Sequence, residues 1–291
     1  MEKTEIEKLV LSLLGEGSSI ESPLVGGMMN ISYIIKDKNG KRYVLYISTE
    51  QANEMVDRPL EKEHQAIVAS LGITSKNIYF DTAKGIKVNE FIEGVSLNNI
   101  DKFDYQKVAD LFHKLHASKT LSKVDYNPFS RFLNSYEKEA NEFQQNQDPK
   151  YKELRDFLFS NRSYLESQKK VLCHNDAQRS NIVKGEDGSY YLIDFEFVGN
   201  NDQIYDIATF GNGVVKEGRT LLDYYFGKPN IDQIKRYYLW RIYVSLQWYN
   251  VAIVKHFRGE GKAHGFNFMD VANFFLNNAL DAYSGYKQEI K

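Results

Sequence analysis

Apolar residues recur every three or four positions in the opening segment TEIEKLVLSLL, and this spacing predicts a helix over residues 4–14. Two short β-like runs, 32–36 and 42–48, flank the turn sequence DKNG and predict a β-hairpin. The pattern over 58–71 is helical again, with a proline suited to the first turn and a glycine just past the end. Two further strands are predicted over 77–80 and 85–92.

After Gly94 the pattern becomes mostly helical. Helices are predicted over 103–117, 129–145, 150–161, 231–257 and 267–286. A short β-rich interruption covers 171–173 and 189–195. A β-rich first third followed by a helical remainder predicts an α+β fold with two lobes: a small β-rich N-lobe, 1–93, and a larger, mostly helical C-lobe, 94–291.

The charge balance argues against nucleic acid or an anionic membrane as a partner, because 37 basic and 39 acidic residues leave a net charge of −2. No stretch reaches the roughly 18 apolar residues of a membrane-spanning helix. The single cysteine, Cys173, excludes an intrachain disulfide, and the segment MEKTEIEKLV has no apolar core of the signal-peptide type. We therefore expect a cytoplasmic protein. We also expect it to be a monomer or a homodimer.

The segment VLCHNDAQRSNIVKGEDGSYYLIDFEF carries the candidate chemistry. A short apolar strand leads into His174, Asn175 and Asp176, and Asn181 follows five residues after Asp176. A predicted hairpin then returns the chain to Asp194. An Asp, an Asn five residues on and an Asp at a strand end is the order of catalytic residues in protein kinases. Either tripeptide alone, HND or DFE, is a weak signal, whereas the ordered set predicts phosphoryl transfer.

These residue types suit phosphoryl transfer from ATP. The carboxylate of Asp176 can orient a hydroxyl nucleophile and accept its proton. The amide oxygen of Asn181 and the carboxylate of Asp194 are hard oxygen ligands of the kind that Mg²⁺ prefers, and we expect the hairpin to bring them together. His174 is expected to be structural and to orient Asp176 through the loop backbone.

At these residues the chain resembles the bacterial LicA-type choline kinases, within the superfamily of choline/ethanolamine kinases and aminoglycoside phosphotransferases. Outside the catalytic segment, the matching stretches are 26–36, 57–73, 85–94 and 194–208. The resemblance covers nearly the whole chain and is weakest over 119–165 and 215–291. It implies a two-lobed, protein-kinase-like fold, the use of ATP and Mg²⁺, and phosphate transfer to the hydroxyl of a small amino alcohol such as choline or ethanolamine.

The resemblance also implies roles for individual residues. Asp176 resembles the catalytic base of the family, and Asn181 and Asp194 resemble its metal ligands. Glu61 resembles the glutamate of the first-lobe helix. The other nucleotide-binding positions that the resemblance implies are Gly26, Gly27 and Asn30 in the phosphate-covering loop, and Glu90 and Ile92 in the connector that holds adenine.

Tyr46 departs from the family pattern. It stands in the strand YVLYI where such kinases carry a Lys or Arg that contacts the α- and β-phosphates and pairs with the helix glutamate. A tyrosine offers a neutral hydrogen bond and no charge. Two hypotheses follow. Either another cation, such as Lys36, Arg42 or Arg58, covers the phosphates, or the protein is a nucleotide-binding pseudokinase.

A pocket for a cationic amino alcohol needs aromatic rings and carboxylates. The candidate substrate-binding residues follow Asp194 and continue into the helix predicted over 231–257: Glu196, Asp202, Tyr205, Trp240, Tyr243, Gln247 and Trp248. Asp206 is expected instead to hold the catalytic loop. Arg241 on the same helix would repel a choline cation in that pocket. An aminoglycoside, thiamine or another amino alcohol is the alternative acceptor.

Overall fold

The structure is a computed structural model that describes residues 3–24, 30–143, 148–261 and 267–290. The chain forms two compact units. The first unit comprises Met1–Asp101 and Ser180–Val198, and the second comprises Lys102–Arg179 and Gly199–Lys291. Within the described ranges, no helix is both long and apolar enough to span a lipid bilayer.

An antiparallel sheet forms the frame of the first unit. Its strands are β1 (Ser19–Leu24), β2 (Asn30–Lys36), β3 (Arg42–Ser48), β4 (Asn77–Asp81) and β5 (Ile86–Glu90). They lie in the order β1-β2-β3-β5-β4. The predicted hairpin is confirmed as β2–β3, with Lys36 opposite Arg42. Gly40 closes its turn with a φ of 81°, which glycine adopts without strain.

Three helices belong to the first unit: α1 (Lys3–Leu14), α2 (Glu50–Met55) and α3 (Arg58–Ser70). The helices predicted over 4–14 and 58–71 are thereby confirmed. Helix α1 packs on the sheet through a shared apolar core: Ile6, Val10, Ile35, Leu45 and Val88. Asp57 begins α3 as its N-cap, because its side chain accepts a hydrogen bond from the Leu60 N–H at 3.0 Å.

A second sheet in the first unit joins distant parts of the chain. Strand β6 (Gly94–Ser96) pairs with β8 (Ile182–Gly185), and β8 pairs with β9 (Tyr190–Leu192). The sequence placed a single lobe break after residue 93 and did not predict this pairing, because strand partners far apart in the chain leave no local pattern. The lobe boundary itself remains a prediction.

Helices dominate the second unit. They are α4 (Tyr105–His116), α5 (Pro128–Arg131), α6 (Glu137–Glu142), α7 (Pro149–Ser160), α8 (Arg162–Glu166), α9 (Gln203–Phe210), α10 (Val215–Phe226), α11 (Ile231–Phe257) and α12 (Phe268–Glu289). Two short strands, β7 (Val171–Cys173) and β10 (Gly199–Asn201), pair antiparallel. The predicted helices 103–117, 150–161, 231–257 and 267–286 are confirmed as α4, α7, α11 and α12.

Helix α11 is the central packing element of the second unit and contacts both α12 and α9. It is 27 residues long and begins with a capping box. The Asn230 side chain accepts a hydrogen bond from the Gln233 N–H, and the Gln233 side chain accepts one from the Asn230 N–H. These reciprocal bonds satisfy donors that a helix start otherwise leaves unpaired.

Four helices were not predicted from the sequence: the short helices α2 and α8, and the longer helices α9 and α10. Every residue of α9 from Ile204 to Phe210 is buried, so no polar face marks its period. In α10, Gly218 interrupts the helical pattern. This glycine marks a close approach, since a Cβ there would lie 2.6 Å from the Tyr237 hydroxyl and 3.0 Å from the Ile207 carbonyl oxygen.

The helix predicted over 129–145 is not uniform. Helices α5 and α6 are separated by a π-helical turn, Phe132–Tyr136. Such turns are rare and occur frequently at functional sites. The wider turn changes the face that the following residues present, which a pattern with a period of 3.6 does not reveal.

Gly218→Ala is expected to lower the free energy of unfolding by about 1–3 kcal/mol, because the added methyl group overpacks a contact that includes a backbone oxygen. In an open helix the same change would be favourable by roughly 0.5–1 kcal/mol. Gly213→Ala is the matched control, since a Cβ there meets nothing within 4 Å. Urea unfolding measures both variants, and a Gly218→Ala protein as stable as wild type would disprove the tight contact.

Candidate active site

The loop His174–Asp176 follows strand β7 and is fixed by one buried carboxylate. Asp206 of α9 accepts hydrogen bonds from the backbone N–H of His174 at 2.8 Å and from that of Asn175 at 2.7 Å. His116 Nε2 lies 3.0 Å from the same carboxylate. Asp206, which the sequence expects to hold this loop, therefore contacts its backbone directly.

Asn175 turns the loop. Its φ of 64° lies in the left-handed region, which asparagine tolerates better than most residues. Its side-chain amide donates to the carbonyl oxygens of Cys173 and Gly199, both at 3.3 Å. Its side-chain oxygen accepts from Asn201 Nδ2 at 2.9 Å. The loop is thus attached to both strands of the β7–β10 pair.

Asp176 is the half-buried carboxylate at the end of this loop. Its backbone N–H donates to His174 Nδ1 at 3.3 Å, and Gln178 Nε2 donates to its Oδ2 at 3.3 Å. His174 is fully buried. The contact with the loop backbone and this burial both favour a supporting role for the histidine.

Asn181 and Asp194 lie at matching ends of the β8–β9 hairpin in the first unit. Ile182 is opposite Leu192, and the Ile193 N–H donates to the Asn181 carbonyl oxygen at 3.0 Å. Asp194 leaves the strand with a φ of 68°, a left-handed conformation that is uncommon for aspartate. The hairpin therefore brings the two predicted metal ligands to the same end.

Three carboxylates and two cations form a group in the first unit that we call the charge cluster: Arg58, Glu61, Lys87, Asp194 and Glu196. Glu61 of α3 is only 1% exposed and forms ion pairs with both Arg58 and Lys87. Arg58 Nη1 lies 2.6 Å from Glu61 Oε2 and 3.0 Å from Glu196 Oε1. Glu196, which was predicted to bind substrate, thus belongs to the charge cluster and pairs with Arg58.

Lys87 of β5 was missed by the sequence analysis, and it stands directly opposite Tyr46 in the β3–β5 ladder. Its Nζ lies 4.9 Å from the centroid of the Tyr46 ring, within the range of a cation–π interaction. Burial opposes the charge of Lys87, but the carboxylates of Glu61, Asp194 and Glu196 together outweigh it, so the pKa of the lysine is raised above its ordinary value. Burial also raises the pKa of Tyr46 to about 12, so this hydroxyl stays neutral.

The charge cluster holds more negative than positive charge. Burial, reinforced by repulsion from Glu196, raises the pKa of the Asp194 carboxyl to about 7, and Lys87 and Arg58 offset this only in part. A divalent cation would reverse the imbalance. The Asp194 carboxylate and the Asn181 amide are hard oxygen donors of the kind that Mg²⁺ takes, so the residues present fit this ion.

The alternative cations named from the sequence have different positions. Lys36 Nζ lies 3.9 Å from Glu21 Oε2, with both side chains partly exposed. Arg42 Nε donates to Glu93 Oε1 at 2.9 Å, again at the surface. Of these three candidates, Arg58 is the one that belongs to the charge cluster.

The predicted nucleotide-covering residues are described only in part. Gly26 and Gly27 lie outside the described residues. Asn30 lies next to the charge cluster, because its Nδ2 donates to Glu196 Oε1 at 2.8 Å. Its Oδ1 accepts a hydrogen bond from Ser48 Oγ at 3.0 Å.

The connector predicted to hold adenine follows β5. The Glu90 N–H donates to the Lys76 carbonyl oxygen at 2.9 Å, and the Phe91 N–H donates to that of Arg42 at 3.2 Å. Between described residues, no hydrogen bond uses the backbone N–H or C=O of Ile92. Of the two predicted positions, Ile92 is the one whose backbone can still bind a ligand.

Three of the candidate substrate-binding residues are interior to the second unit. Tyr205, Trp240 and Tyr243 are 1% exposed or less, and their ring centroids are 5.1–5.7 Å apart. Asp202 accepts a hydrogen bond from Trp240 Nε1 at 2.9 Å and pairs with Arg236 at 2.9 Å. These contacts are typical of a packed core, so burial argues against the predicted substrate-binding role of these four residues.

Gln247 and Trp248 are half-buried on α11. Gln247 Oε1 accepts a weak hydrogen bond from the Tyr205 hydroxyl at 3.4 Å. Trp248 stacks on Phe275 of α12, with ring centroids 5.9 Å apart. Both residues contact protein groups, and their substrate-binding role remains a prediction.

Arg241 does not occupy an open pocket. It is fully buried, and its Nη1 donates to the Ala208 carbonyl oxygen near the end of α9 at 2.8 Å. Its Nη2 donates to Ser245 Oγ at 3.1 Å. Burial lowers its pKa to about 10. The guanidinium thus satisfies carbonyl groups at a helix C-terminus, where a cation is favoured.

Two tyrosines that the sequence analysis missed lie within electrostatic range of Asp176. Burial raises the pKa values of Tyr126 and Tyr136, and the negative charge of Asp176 adds to both shifts. Tyr136 ends the π-helical turn. The Arg131 guanidinium already covers the Tyr126 ring, at 4.9 Å from the centroid. Both tyrosines fall where the resemblance is weakest, so no motif marked them.

A model of the choline/ethanolamine kinase family matches residues 22–221. The LicA protein of Haemophilus influenzae is 24% identical over 199 residues, which cover 66% of this chain and 57% of that protein. An uncharacterized protein of Mycoplasma pneumoniae is 24% identical over 199 residues, which cover 67% of this chain and 64% of the relative. The chain therefore spans less than two thirds of the length of either relative.

Solved structures show the same architecture. The choline kinase LicA from Streptococcus pneumoniae has a TM-score of 0.74 at 26% identity, over 98% of this chain and 99% of that one. A LicA structure in complex with AMP has a TM-score of 0.72 at 25% identity, over 98% of each chain. An aminoglycoside phosphotransferase in complex with ADP and hygromycin B has a TM-score of 0.72 at 14% identity, over 97% of this chain and 98% of that one. The predicted α+β, protein-kinase-like fold is confirmed.

In metal-free buffer, Asp194→Asn is expected to raise the free energy of unfolding at about pH 8, because burial and Glu196 disfavour the ionised aspartate. The pKa of this carboxyl is raised from 3.8 to about 7, so between these values the folded protein keeps a proton that the unfolded chain releases. Wild-type stability therefore falls as the pH rises through this window, and the advantage of the variant disappears near pH ~4.

Denaturant unfolding with a chelator at both pH values measures this effect. Asp187→Asn is the matched control on the turn of the same hairpin, where the carboxyl is exposed and its pKa is lowered by a hydrogen bond from Tyr191. If the wild-type protein is at least as stable as Asp194→Asn at the higher pH, the charge cluster around Asp194 does not carry excess negative charge.

Proposed function

Because this chain belongs to the choline/ethanolamine kinase family, we propose that it transfers the γ-phosphate of ATP to the hydroxyl group of a small amino alcohol, with choline or ethanolamine as the first candidates. The observation that carries the proposal is the fixed loop of the second unit. Asp206 holds the backbone of His174 and Asn175, and Asp176 is presented as the half-buried carboxylate at its end.

Asp176 orients the acceptor hydroxyl and accepts its proton as the oxygen attacks the γ-phosphorus. A fixed loop favours this role, because phosphoryl transfer depends mainly on the positioning of the reacting groups and on charge stabilisation. The Asp206 hydrogen bonds position the loop before any substrate binds, so little reorganisation is needed during the reaction.

Asn181 and Asp194 hold Mg²⁺ in this proposal. The ion supplies positive charge that offsets the phosphate oxygens of the nucleotide. The raised pKa of Asp194 favours such a site, because the excess negative charge of the cluster is relieved by a bound cation. Asn30 and the segment with Gly26 and Gly27 cover the phosphates, and the Ile92 backbone binds adenine.

We assign the acceptor's charged group to the tyrosines near Asp176. The hydroxyl and the nitrogen of choline or ethanolamine are separated by two carbons, so the ammonium group must bind close to the base. Tyr136 is the better candidate, because it is half-buried at a π-helical turn and Arg131 interacts with its hydroxyl, whereas Arg131 covers the ring face of Tyr126. Aromatic rings attract organic cations through their faces.

An aminoglycoside or thiamine is the alternative acceptor for an enzyme of this family. The cationic Arg131 lies beside Tyr126 and Tyr136, so acceptors of different charge should be compared. The pseudokinase hypothesis rested on Tyr46. It loses its motivation because Lys87 pairs with Glu61 at the opposite position of the ladder. A cytoplasmic location and a monomeric or homodimeric state remain predictions.

Asp176→Asn is expected to lower kcat by about 10²–10⁴-fold, because an amide orients the hydroxyl but does not accept its proton. ADP release in a coupled assay measures the rate with choline, ethanolamine, thiamine and an aminoglycoside. Asp156→Asn, on the exposed side of α7, is the control and should retain wild-type activity. Equal rates of ADP release by wild type and Asp176→Asn would show that Asp176 is not the general base. A wild-type protein that is inactive on both choline and ethanolamine would exclude these two substrates.

Tyr136→Leu is expected to raise the KM for choline by roughly 3–30-fold, the size of a lost cation–π contact, with little change in the KM for ATP. Tyr79→Leu, on strand β4, removes an exposed tyrosine and is the matched control. Initial-rate kinetics with each substrate varied in turn separates the two KM values. An unchanged KM for choline would rule out Tyr136 as part of the acceptor site.

A further inference from the structure

We propose that Lys87 supplies the cation that binds the α- and β-phosphates of the nucleotide, and that it does so from strand β5 in place of the cation missing at position 46. This inference rests on the nucleotide use proposed above and assigns one residue within it.

The register makes the relocation possible. Tyr46 and Lys87 are direct partners in the antiparallel β3–β5 ladder, so their side chains project from the same face of the sheet. Neighbouring strands are only about 4.8 Å apart. A lysine moved from β3 to the facing position of β5 therefore shifts by less than the length of its own side chain, and its ammonium group still reaches the same region.

The helix glutamate keeps its cationic partner. In protein kinases a strand β3 lysine pairs with a glutamate of the first-lobe helix, and this pair must form for the lysine to hold the phosphates. Here Glu61 Oε1 contacts Lys87 Nζ, and both side chains are at most 5% exposed. The pair is complete, although its lysine comes from the neighbouring strand.

Tyr46 is explained as the support of the relocated lysine. Its ring lies beneath the Lys87 ammonium, with 4.9 Å between Nζ and the ring centroid. A second lysine at position 46 would add like charge beside Lys87 and Arg58. A neutral ring attracts the ammonium and orients it without that repulsion.

The charge cluster also has unused donors. The Arg58 Nη2 atom is buried and has no hydrogen-bond partner among the described residues. Such orphaned donors are costly inside a protein and indicate a missing acceptor. The Lys87 ammonium has three N–H donors, and Glu61 is its one hydrogen-bond acceptor among the described side chains. An anion with several oxygens, such as a diphosphate, satisfies both residues.

Arg58 is the rival for the same role. Its Nη1 is shared by Glu61 and Glu196, and its Nε donates to Asn53 Oδ1 at 3.1 Å. Lys87 Nζ has one acceptor among the described side chains, Glu61, and lies over the ring of Tyr46. The lysine therefore keeps more of its N–H donors for a ligand, at the position that faces Tyr46 in the ladder, and we assign the main contact to it.

The first test measures binding of ADP and of adenosine to wild type and Lys87→Met by titration calorimetry. We expect Lys87→Met to lose on the order of 100-fold in affinity for ADP, as when one preorganised charged donor is removed, and to bind adenosine like wild type. Arg58→Met should lose less. Lys255→Met is the matched control, since Lys255 also has a glutamate partner (Glu260, at 2.6 Å) and an aromatic ring (Phe268, at 5.7 Å).

The second test is a rescue. Tyr46→Lys in the Lys87→Met background returns the cation to strand β3 and should restore ADP affinity to within about 10-fold of wild type. A purely structural ion pair predicts no such recovery, because the restored lysine would matter only for stability. Thermal unfolding of each variant separates lost affinity from lost folding.

A third measurement uses the wild-type protein and stays decisive if Lys87→Met does not fold. An acyl phosphate of ATP is a mixed anhydride whose carbonyl carbon is attacked by the neutral amine of a nearby lysine. The C–O bond to the phosphate breaks, an amide forms, and ATP and a proton are released. Peptide mass spectrometry should find Lys87 acylated, and excess ATP should prevent it. Acylation of other lysines with Lys87 unmodified would overturn the assignment.

The outcomes separate this inference from the function on which it rests. If wild type prefers ADP to adenosine and Lys87→Met keeps that preference, Lys87 is structural and only this inference fails. If Arg58→Met loses the preference while Lys87→Met keeps it, the contact belongs to Arg58. If wild type shows no preference for ADP, the proposed nucleotide use fails as well.

Discussion

A single buried carboxylate, that of Glu61, sets the main constraint on the first unit. It is 1% exposed, and a buried charge without a partner is unfavourable by several kcal/mol. Removing one member of such a pair typically costs about 3–5 kcal/mol. Strand β3 offers no cation at position 46, so Glu61 has to be neutralised from elsewhere. Lys87 and Arg58 do this from β5 and from the start of α3.

The same constraint links stability to the proposed chemistry. Glu196 and Asp194 add two carboxylates beside the Glu61 pairs, and the cluster is left with more negative than positive charge. That arrangement is unfavourable in the isolated protein, and the metal ion proposed above would relieve it. In the second unit the buried Asp206 carboxylate is instead paired, because it accepts hydrogen bonds from two backbone N–H groups and contacts His116. The charge cluster of the first unit thus carries excess negative charge, whereas in the second unit Asp206 fixes the backbone of the 174–176 loop.

The sequence predicted the features that depend on local pattern. The spacing of Asp176, Asn181 and Asp194 and the period of α11 were readable because each lies within one continuous segment. Lys87 was missed because its position opposite Tyr46 depends on the pairing of β3 with β5, two strands that are separated in the chain by α2, α3 and β4. The segment of α9 was missed because a helix that is buried on all sides has no polar face to mark its period.

The acceptor side was the least predictable part of the site. Trp240 and Tyr243 share a helix face in the sequence, and the same spacing serves a packed core or a pocket equally well. Only their burial distinguishes the two. Tyr136 was missed for a different reason. It lies in a π-helical turn, and the apolar pattern of an α-helix, with its period of 3.6 residues, does not indicate such a turn.

The central claim is that this chain remains an active phosphotransferase although Tyr46 replaces the usual cation. The most direct test is a ³¹P NMR time course of the wild-type protein with Mg·ATP and an equimolar mixture of choline and ethanolamine. We expect a phosphomonoester resonance to grow at the rate at which the γ-phosphate resonance of ATP declines. An ATP spectrum that stays unchanged, or that yields only ADP and inorganic phosphate, would contradict the claim.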